Sequence, residues 1–306
     1  MNNNPLVTVI IPTYKRSDNL LQTIDSVLKQ TYSNIEIIVV DDNGRGTDCQ
    51  KRTEEKLKKY ISLGRIVYIA HTVNRNGATA RNTGFCISKG DYINYLDDDD
   101  ELLSDKISMQ VKALHGTEKQ VGACYCNSII RTKGRHGDLE FKTNLKVEGN
   151  LCLGYLVGRY FFNTSSILFK RESIEKLNGF DETFIRHQDY ELMTRFFTFY
   201  KIICCSEKAL LIYDLTKNRT YIHSAGKDIL LKEKFLRDLK PYLETLGIFG
   251  EVAHKFWFAT MKAAVLSKQY FYIPQVAIRS VSFGMFSFEE VCDFSKLIIK
   301  RILRQL

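Results

Sequence analysis

The segment YINYLDDDD, residues 92–100, joins a short β-rich run to four consecutive carboxylates, and Glu101 follows directly. The apolar run is typical of a buried strand. Like charges at this spacing repel one another, and a solvated turn alone would rarely use four of them. We therefore expect a strand whose carboxyl end carries a site for a cation.

Working outward from this segment, β-rich runs alternate with helical stripes over the first hundred residues. The runs predict strands at 7–11, 35–40, 65–70 and 92–96, and helices at 18–29, 47–60 and 78–88. Strand–helix alternation implies parallel strands joined by right-handed crossovers. The near-continuous apolar runs suit strands covered on both faces. The fold class is therefore α/β, with a Rossmann-like, mostly parallel central sheet flanked by helices.

The ends of these strands carry polar motifs. Strand one ends in PTYKR (12–16), strand two in DDNG (41–44), and strand four in the aspartates. Ligands of such sheets collect beyond the carboxyl ends of the strands. The sequence therefore predicts a single site at this edge.

The alternation loosens after residue 101. We predict helices at 105–114, with Ser104 as N-cap, and at 189–200, strands at 122–131, 165–170 and 201–205, and a turn at 132–138. Helical stripes take over from about 227. The predicted organisation is a first domain at 1–226, with one half at 1–101 and another at 102–226, followed by a helical region at 227–306.

Composition limits the classes of partner. The chain has 306 residues, a net charge of +9 and a pI near 9.0, which favours anionic partners such as nucleotides or an anionic membrane surface. No RNA-binding signature, zinc-finger spacing or Arg-rich tract supports a nucleic-acid partner. There is no secretory signal and no run of about 20 apolar residues. We expect a cytoplasmic protein, in which the eight cysteines are buried, reduced thiols.

Two carboxylates separated by one residue can hold a hard divalent cation. Mg²⁺ and Mn²⁺ prefer oxygen ligands and keep waters for the phosphates of a substrate. The cation would also relieve the repulsion among the aspartates and stabilise a departing diphosphate. An exposed acidic turn without a metal stays open as the alternative.

Five segments together resemble family 2 glycosyltransferases of the bacterial polysaccharide type. They are VTVIIPTYKR (7–16), IEIIVVDDNGRGTD (35–48), NGATARNTG (76–84), GDYINYLDDDD (90–100) and, on the acceptor side, GFDETFIRHQDYELMTRFF (179–197). Their order and spacing agree with the family. The resemblance implies a GT-A fold, inversion at the anomeric carbon, and a DXD motif at Asp97-Asp98-Asp99.

The resemblance also implies roles for individual residues. The donor-binding set is Pro12, Thr13, Tyr14, Asp41, Asp42, Arg81, Asp97 and Asp98. The metal-binding set is Asp99, supported by Asp97, with His223 as a further ligand or phosphate contact. Asp189 matches the aspartate of the family's E-D pair and is the implied general base.

The chain departs from that pair in one place, because Gln188 replaces the Glu that often precedes the base. This removes a like charge beside Asp189. Alternatives stay open for single residues. Asp189 is also a candidate helix N-cap, Arg81 a candidate surface residue of an amphipathic helix, and His223 a candidate structural histidine.

The end of the chain, KLIIKRILRQL (296–306), has four basic residues, no acidic ones and apolar residues at helical spacing. One interpretation is a closing helix packed on its domain. The other is a basic amphipathic helix lying at the inner face of an anionic membrane, where a lipid-linked acceptor would be presented. The aromatic residues of the whole helical region at 227–306 are also a candidate surface for a homo-oligomer.

The predicted function is that of a hexosyl- or N-acetylhexosaminyltransferase that depends on Mn²⁺ or Mg²⁺. It transfers sugar from a nucleotide-sugar donor, a UDP-sugar, to a saccharide or lipid-linked oligosaccharide acceptor in surface polysaccharide synthesis. A catalytically inactive scaffold of a glycan assembly complex stays open as the alternative. A nucleotidyltransferase is disfavoured, because PTYKR stands where a Gly-rich phosphate loop would be expected.

Overall fold

The computed structural model describes residues 4–134, 137–216 and 225–303. Contacts within the chain divide them into two units. The first contains the described residues of 4–152 and 160–216, and the second contains 153–159 and 225–303. The second unit therefore includes a short segment from the middle of the chain.

The first hundred residues alternate between strands and helices, as the sequence predicts. The elements are β1 (Val7–Thr13), α1 (Ser17–Leu28), β2 (Ile35–Asp41), α2 (Asp48–Ser62), β3 (Val67–Ala70), α3 (Gly77–Ile87) and β4 (Tyr92–Tyr95). Thr47 caps α2, since its side chain accepts a hydrogen bond from the Gln50 N–H. Asn76 caps α3 in the same way and accepts from the N–H groups of Ala78 and Thr79.

The rest of the first unit mixes short strands with helices. It contains β5 (Glu101–Leu102), α4 (Lys106–Leu114), β6 (Val121–Gly134), β7 (Gly137–Lys142), α5 (Cys152–Leu156), β8 (Ile167–Lys170), α6 (Arg171–Leu177), α7 (Gln188–Phe199) and β9 (Lys201–Asp214). Helix α5 begins in this unit and continues into the second.

The nine strands found among the described residues form one sheet in the order β3-β2-β1-β4-β8-β6-β9-β5, with β7 paired to β6. Strands β1 to β4 run parallel to one another, and so do β6 and β9. Strand β8 is antiparallel to both of its neighbours. The predicted α/β class with a Rossmann-like parallel sheet is confirmed, and each antiparallel pair includes at least one strand from after residue 100.

Helix α3 lies unusually close to β1. A Cβ atom placed on Gly84 would be 2.4 Å from Cγ2 of Ile10. Any larger residue at this position would push the helix away from the sheet. Because α3 carries Arg81, this close approach fixes how far that arginine stands from the strand ends.

Three local predictions were wrong. Strand β9 runs to Asp214 rather than to 205, because both β6 and β5 pair with its second half. The predicted turn at 132–138 is instead a hairpin, since β6 continues to Gly134 and β7 starts at Gly137. The residue before α4 is Asp105 rather than Ser104.

The second unit contains four longer helices, α8 (Ala225–Thr245), α9 (Phe249–Leu266), α10 (Ile273–Val281) and α11 (Phe288–Leu303). The predicted C-terminal helical region is therefore observed. His254 on α9 links this helix to α10 and α11, since its ring lies 3.0 Å from the Ser280 carbonyl and 3.2 Å from Glu290. None of the helices that the structure describes is long and apolar enough to cross a bilayer.

Candidate active site

Strands β2, β1 and β4 are parallel neighbours, so their carboxyl ends meet at one edge of the sheet. A cavity of about 280 Å³ opens there. We call it the strand-end cavity. Its walls are Pro12, Thr13, Tyr14, Arg16, Asp42, Gly77, Ala80, Arg81, Asp97 and Asp98.

Asp98 is buried in the wall of this cavity. Its carboxylate accepts a 2.6 Å hydrogen bond from the Thr13 hydroxyl, and Arg16 Nη1 lies 3.3 Å away. Burial raises the pKa of Asp98 to about 7 against the opposing effects of these two partners, and the charges of Asp99 and Asp97 raise it further. Asp98 therefore ties the end of β4 to the end of β1.

Asp99 and Asp100 are also buried, but they have different partners. Asp99 forms an ion pair with Arg16, with Oδ2 2.6 Å from Nη1. Asp100 accepts a 3.1 Å hydrogen bond from Asn163, while its other oxygen, Oδ1, is buried without a hydrogen-bond partner. Burial raises the pKa of Asp100 well above its usual range, and the charges of Asp97 and Asp99 add to the effect.

Asp97 is the most accessible of the four aspartates, with 35% of its side chain exposed. Arg81 Nη2 donates to its Oδ1 at 2.7 Å. The Arg81 guanidinium also lies 5.4 Å from the centre of the Phe180 ring. Arg81 is therefore part of the site and not a freely solvated surface residue.

A second cavity of about 240 Å³ shares Arg81 and Asp97 with the first. We call it the α7 cavity, because residues at the start of α7 form part of its wall. Its remaining walls are Asn163, Thr164, Phe180, Ile185, Arg186, His187, Gln188, Asp189 and Tyr213. Arg81 and Asp97 thus form a common wall between two adjacent polar cavities.

Asp189 lies in the first turn of α7 and contributes to the α7 cavity. The helix begins at Gln188, and its N-cap is His187, which has a left-handed backbone with φ 58°. The alternative in which Asp189 is the N-cap is therefore wrong. The helix dipole favours a negative charge at this position.

Gln188 uses both ends of its amide. Its oxygen accepts from Arg81 Nη1 at 3.0 Å, and its nitrogen donates to the Phe184 carbonyl at 2.8 Å. A glutamate could make the first of these bonds but not the second, since an ionised carboxylate has no donor. The glutamine at 188, where the family often has Glu, thus makes a hydrogen bond to Phe184 that an ionised glutamate could not make.

The two aspartates at the end of β2 point in different directions, with Asp41 as the last residue of the strand and Asp42 directly after it. Asp42 lines the strand-end cavity, and its carboxylate accepts from His71 (2.7 Å), Asn74 (2.8 Å) and the N–H groups of Arg75 and Asn76.

Asp41 instead accepts from the Tyr68 hydroxyl and the Asn43 N–H on the other side of the strand. Burial raises the pKa of Asp41. Alternation along a strand separates the pair.

Seven of the predicted donor-binding residues therefore line one cavity, and Asp41 faces away from it. Asp99 is not among the residues that line this cavity, and it forms an ion pair with Arg16. His223 is outside the described residues. Sequence reasoning missed Arg16 and His71, although Arg16 stands within the PTYKR motif at the end of strand one.

The chemistry of this cluster suits a hard divalent cation. Within residues 4–134, 137–216 and 225–303, no three His, Cys, Asp or Glu side chains are already gathered as a metal site. Mg²⁺-like ions need only one or two protein carboxylates when a substrate's phosphates and waters complete the shell. Three carboxylates, those of Asp97, Asp98 and Asp99, contact two guanidinium groups here, and Asp100 Oδ1 is a buried oxygen without a hydrogen-bond partner. The residues present therefore fit such an ion.

The family model for glycosyl transferase family 2 matches residues 8–195, which is more than half of the chain. The chain belongs to this family. Family membership supports glycosyl transfer as its activity.

Among relatives, the chain is 28% identical over 303 residues to the amylovoran biosynthesis glycosyltransferase AmsB of Erwinia amylovora, covering 98% of this chain and 96% of AmsB. It is 40% identical over 125 residues to WfaP of Escherichia coli, covering 41% of this chain and 47% of WfaP. WfaP is named as a UDP-Glc:alpha-D-GlcNAc-diphosphoundecaprenol beta-1,3-glucosyltransferase.

Two solved structures show the same fold. The mannosyltransferase PcManGT of Pyrobaculum calidifontis, in complex with GDP-Man and Mn²⁺, matches with a TM-score of 0.58 at 19% identity, over 96% of this chain and 80% of that one. Residues 1–349 of TarS from S. aureus, in complex with UDP-GlcNAc, match with a TM-score of 0.56 at 17% identity, over 91% and 89%. They confirm the predicted GT-A fold.

Proposed function

We propose that this family 2 glycosyltransferase is metal-dependent and inverting, and that it transfers a sugar from a UDP-linked donor to the hydroxyl of a saccharide or lipid-linked acceptor. The observation that carries the proposal is the pair of cavities with a common wall of Arg81 and Asp97. The strand-end cavity takes the nucleotide diphosphate. The α7 cavity takes the acceptor, with Asp189 on its far side.

In this mechanism Asp189 accepts the proton of the acceptor hydroxyl, and the hydroxyl oxygen attacks the anomeric carbon from the side opposite the diphosphate. Inversion of an α-linked donor gives a β-linkage. Arg81 lies between the two cavities and contacts the phosphates as their bond to the sugar breaks. A divalent cation held by Asp99 and Asp97 would stabilise the negative charge of the departing UDP.

The names of the relatives support the choice of acceptor. AmsB is named for the biosynthesis of the polysaccharide amylovoran, and WfaP for transfer from UDP-Glc to a saccharide on diphosphoundecaprenol. We infer that this chain, too, acts in surface polysaccharide synthesis. Residues 1–226 would carry the chemistry.

We also propose that the second unit contacts an anionic membrane surface. Large apolar side chains are strongly exposed along 266–303, among them Phe271, Ile278, Met285 and Phe288, at 72% to 85%. The last turn of α11 is basic, with Lys300 and Arg301. Exposed apolar side chains and basic groups together suit the interface of an anionic bilayer.

A donor screen tests the proposed activity. The enzyme is incubated with UDP-linked and GDP-linked hexoses and N-acetylhexosamines, with Mn²⁺ and then Mg²⁺, and free UDP or GDP is measured. We expect cation-dependent UDP release from one class of UDP-sugar. Preference for a GDP-sugar would overturn the choice of nucleotide, and no release from any donor would favour the inactive scaffold.

A further inference from the structure

The guanidinium group of Arg16 places a positive charge beside two of the four aspartates. Its Nη1 lies 2.6 Å from Asp99 and 3.3 Å from Asp98, and both carboxylates are buried. The rest of the arginine is accessible, with 40% of its side chain exposed, and it lines the strand-end cavity. Arg16 therefore connects the buried carboxylates to the space proposed for the nucleotide.

The chain holds Arg16 at this place through the turn that follows β1. Lys15 has a left-handed backbone with φ 59°, and its N–H donates to the Asn43 side chain at 2.8 Å. A left-handed lysine carries a conformational cost, which the hydrogen bond to Asn43 helps to offset. The hydrogen bond to Asn43 anchors the turn, and the long Arg16 side chain extends from it.

Asp99 is the first candidate for metal binding, and one of its two oxygens is already engaged by Arg16. A cation that binds the Asp99 carboxylate would lie close to this positive group. Two cations at one buried carboxylate repel each other strongly, so their binding is competitive. Arginine also pairs well with phosphate, through two parallel hydrogen bonds.

We infer that Arg16 is an exchangeable internal counter-ion of the DXD aspartates. Without donor it neutralises Asp98 and Asp99 and keeps the affinity for divalent cations low. When the donor enters, the guanidinium turns from Asp99 to the diphosphate, and Asp99 becomes available to the metal. This inference rests on the proposed function, since it assumes that metal and nucleotide share the strand-end cavity.

The exchange makes metal and nucleotide bind cooperatively. Each would strengthen binding of the other by the same factor, as thermodynamic linkage requires. Arg16 is then a positioning residue of the site, whose effect is visible in equilibrium binding without any turnover.

The test measures Mn²⁺ binding by electron paramagnetic resonance, with and without UDP, for the full chain. We expect Arg16→Gln to bind Mn²⁺ about tenfold more tightly than wild type when UDP is absent, because a competing positive charge is gone. We expect UDP to strengthen Mn²⁺ binding about tenfold in wild type and by much less in Arg16→Gln.

Two further variants serve as controls. Arg16→Lys keeps the positive charge and should resemble wild type in Mn²⁺ affinity without UDP. Arg52→Gln removes the same charge from the exposed face of α2 and should also resemble wild type. Wild-type values in Arg16→Gln, both with and without UDP, would overturn the inference while leaving the proposed function in place. Absence of Mn²⁺ binding in every variant, even with UDP, would overturn the metal dependence and the inference together.

Discussion

Asp189 is the residue on which the proposed chemistry depends most directly. It lies in the first turn of α7, across the α7 cavity from Asp97. We expect Asp189→Asn to lower the transfer rate by a factor of roughly 10² to 10⁴, because the hydroxyl loses its proton acceptor. Sugar transfer is measured with the donor found in the screen, and UDP affinity is measured separately.

Asp189 does not line the strand-end cavity, so UDP affinity should stay nearly unchanged in this variant. A matched control is Asp48→Asn, an exposed aspartate in the first turn of α2, which should transfer at the wild-type rate. Loss of UDP binding in Asp189→Asn would contradict the assignment of the base.

Gln188 supplies a second prediction at this scale. In Gln188→Glu, a full negative charge would replace the amide oxygen that now accepts from Arg81, and the hydrogen bond to the Phe184 carbonyl would be lost. The stronger pairing would hold Arg81 away from phosphate. We expect UDP to bind about three- to tenfold more weakly, as measured by calorimetry.

The comparison variant is Gln188→Met, which has a similar length and no charge. It should bind UDP more tightly than Gln188→Glu. If the glutamate variant binds UDP as well as wild type, Arg81 does not use its guanidinium on the diphosphate in the way proposed.

Single residues also show what the sequence can predict about a site. The aspartates and Asp42 stand at the ends of β-rich runs, and local order along the chain was enough to place them together. Arg16 meets Asp98 and Asp99 across more than 80 residues of sequence. The periodicity of apolar residues along the chain does not encode such a pairing. The PTYKR segment also contains no pattern that predicts the left-handed backbone of Lys15.

At the scale of elements, α7 is held in place by Arg195, which forms a buried ion pair with Glu191 one turn earlier in the same helix. Arg195 Nη2 donates to Glu191 Oε2 at 2.7 Å, and the same guanidinium donates to the carbonyls of Leu177 and Gly179. The arginine thus fixes α7 against the end of α6 and the segment after it. Asp189 is carried by the first turn of this helix.

We expect Glu191→Gln to lower the free energy of unfolding by roughly 3 kcal/mol, because it leaves a buried guanidinium without its counter-charge. Urea unfolding followed by circular dichroism measures the change. Glu55→Gln removes the partner of an exposed lysine, Lys58, and is the control, with a midpoint expected to match wild type. Equal midpoints for the two variants would show that the buried pair does not hold α7.

The strands and helices up to β4 were predictable because each is a complete local pattern, and their predicted bounds differ from those of the structure by at most two residues. The later strands were harder to bound. Only the partners β5 and β6 extend β9 to Asp214, and that information lies in the sheet rather than in the strand. The hydrophobic periodicity of a segment therefore does not predict the length of a strand when pairing with distant strands decides that length.

At the scale of the whole molecule, the second unit is expected to bind anionic vesicles. The triple variant Lys296→Gln, Lys300→Gln and Arg301→Gln removes three positive charges from α11 and should weaken binding to phosphatidylglycerol-containing vesicles at least tenfold, as measured by co-sedimentation. Binding of the wild type should also fall as salt rises.

The control removes the same charge from the first unit, through Lys51→Gln, Arg52→Gln and Lys59→Gln on the exposed side of α2. It should bind vesicles like the wild type. Equal loss in both triple variants would mean that overall charge, and not α11, governs the contact. Unchanged binding in the α11 variant would leave that helix as a closing element of its unit.

The common wall of Arg81 and Asp97 also bears on how such enzymes diversify. Arg81 belongs to the first hundred residues, whereas its partner Gln188 belongs to the following half. A hybrid that exchanges one half for that of a relative would replace one of these two contacting side chains and keep the other. We therefore expect such a hybrid to need a residue at 188 that can pair with Arg81 before donor and acceptor preferences can be exchanged independently.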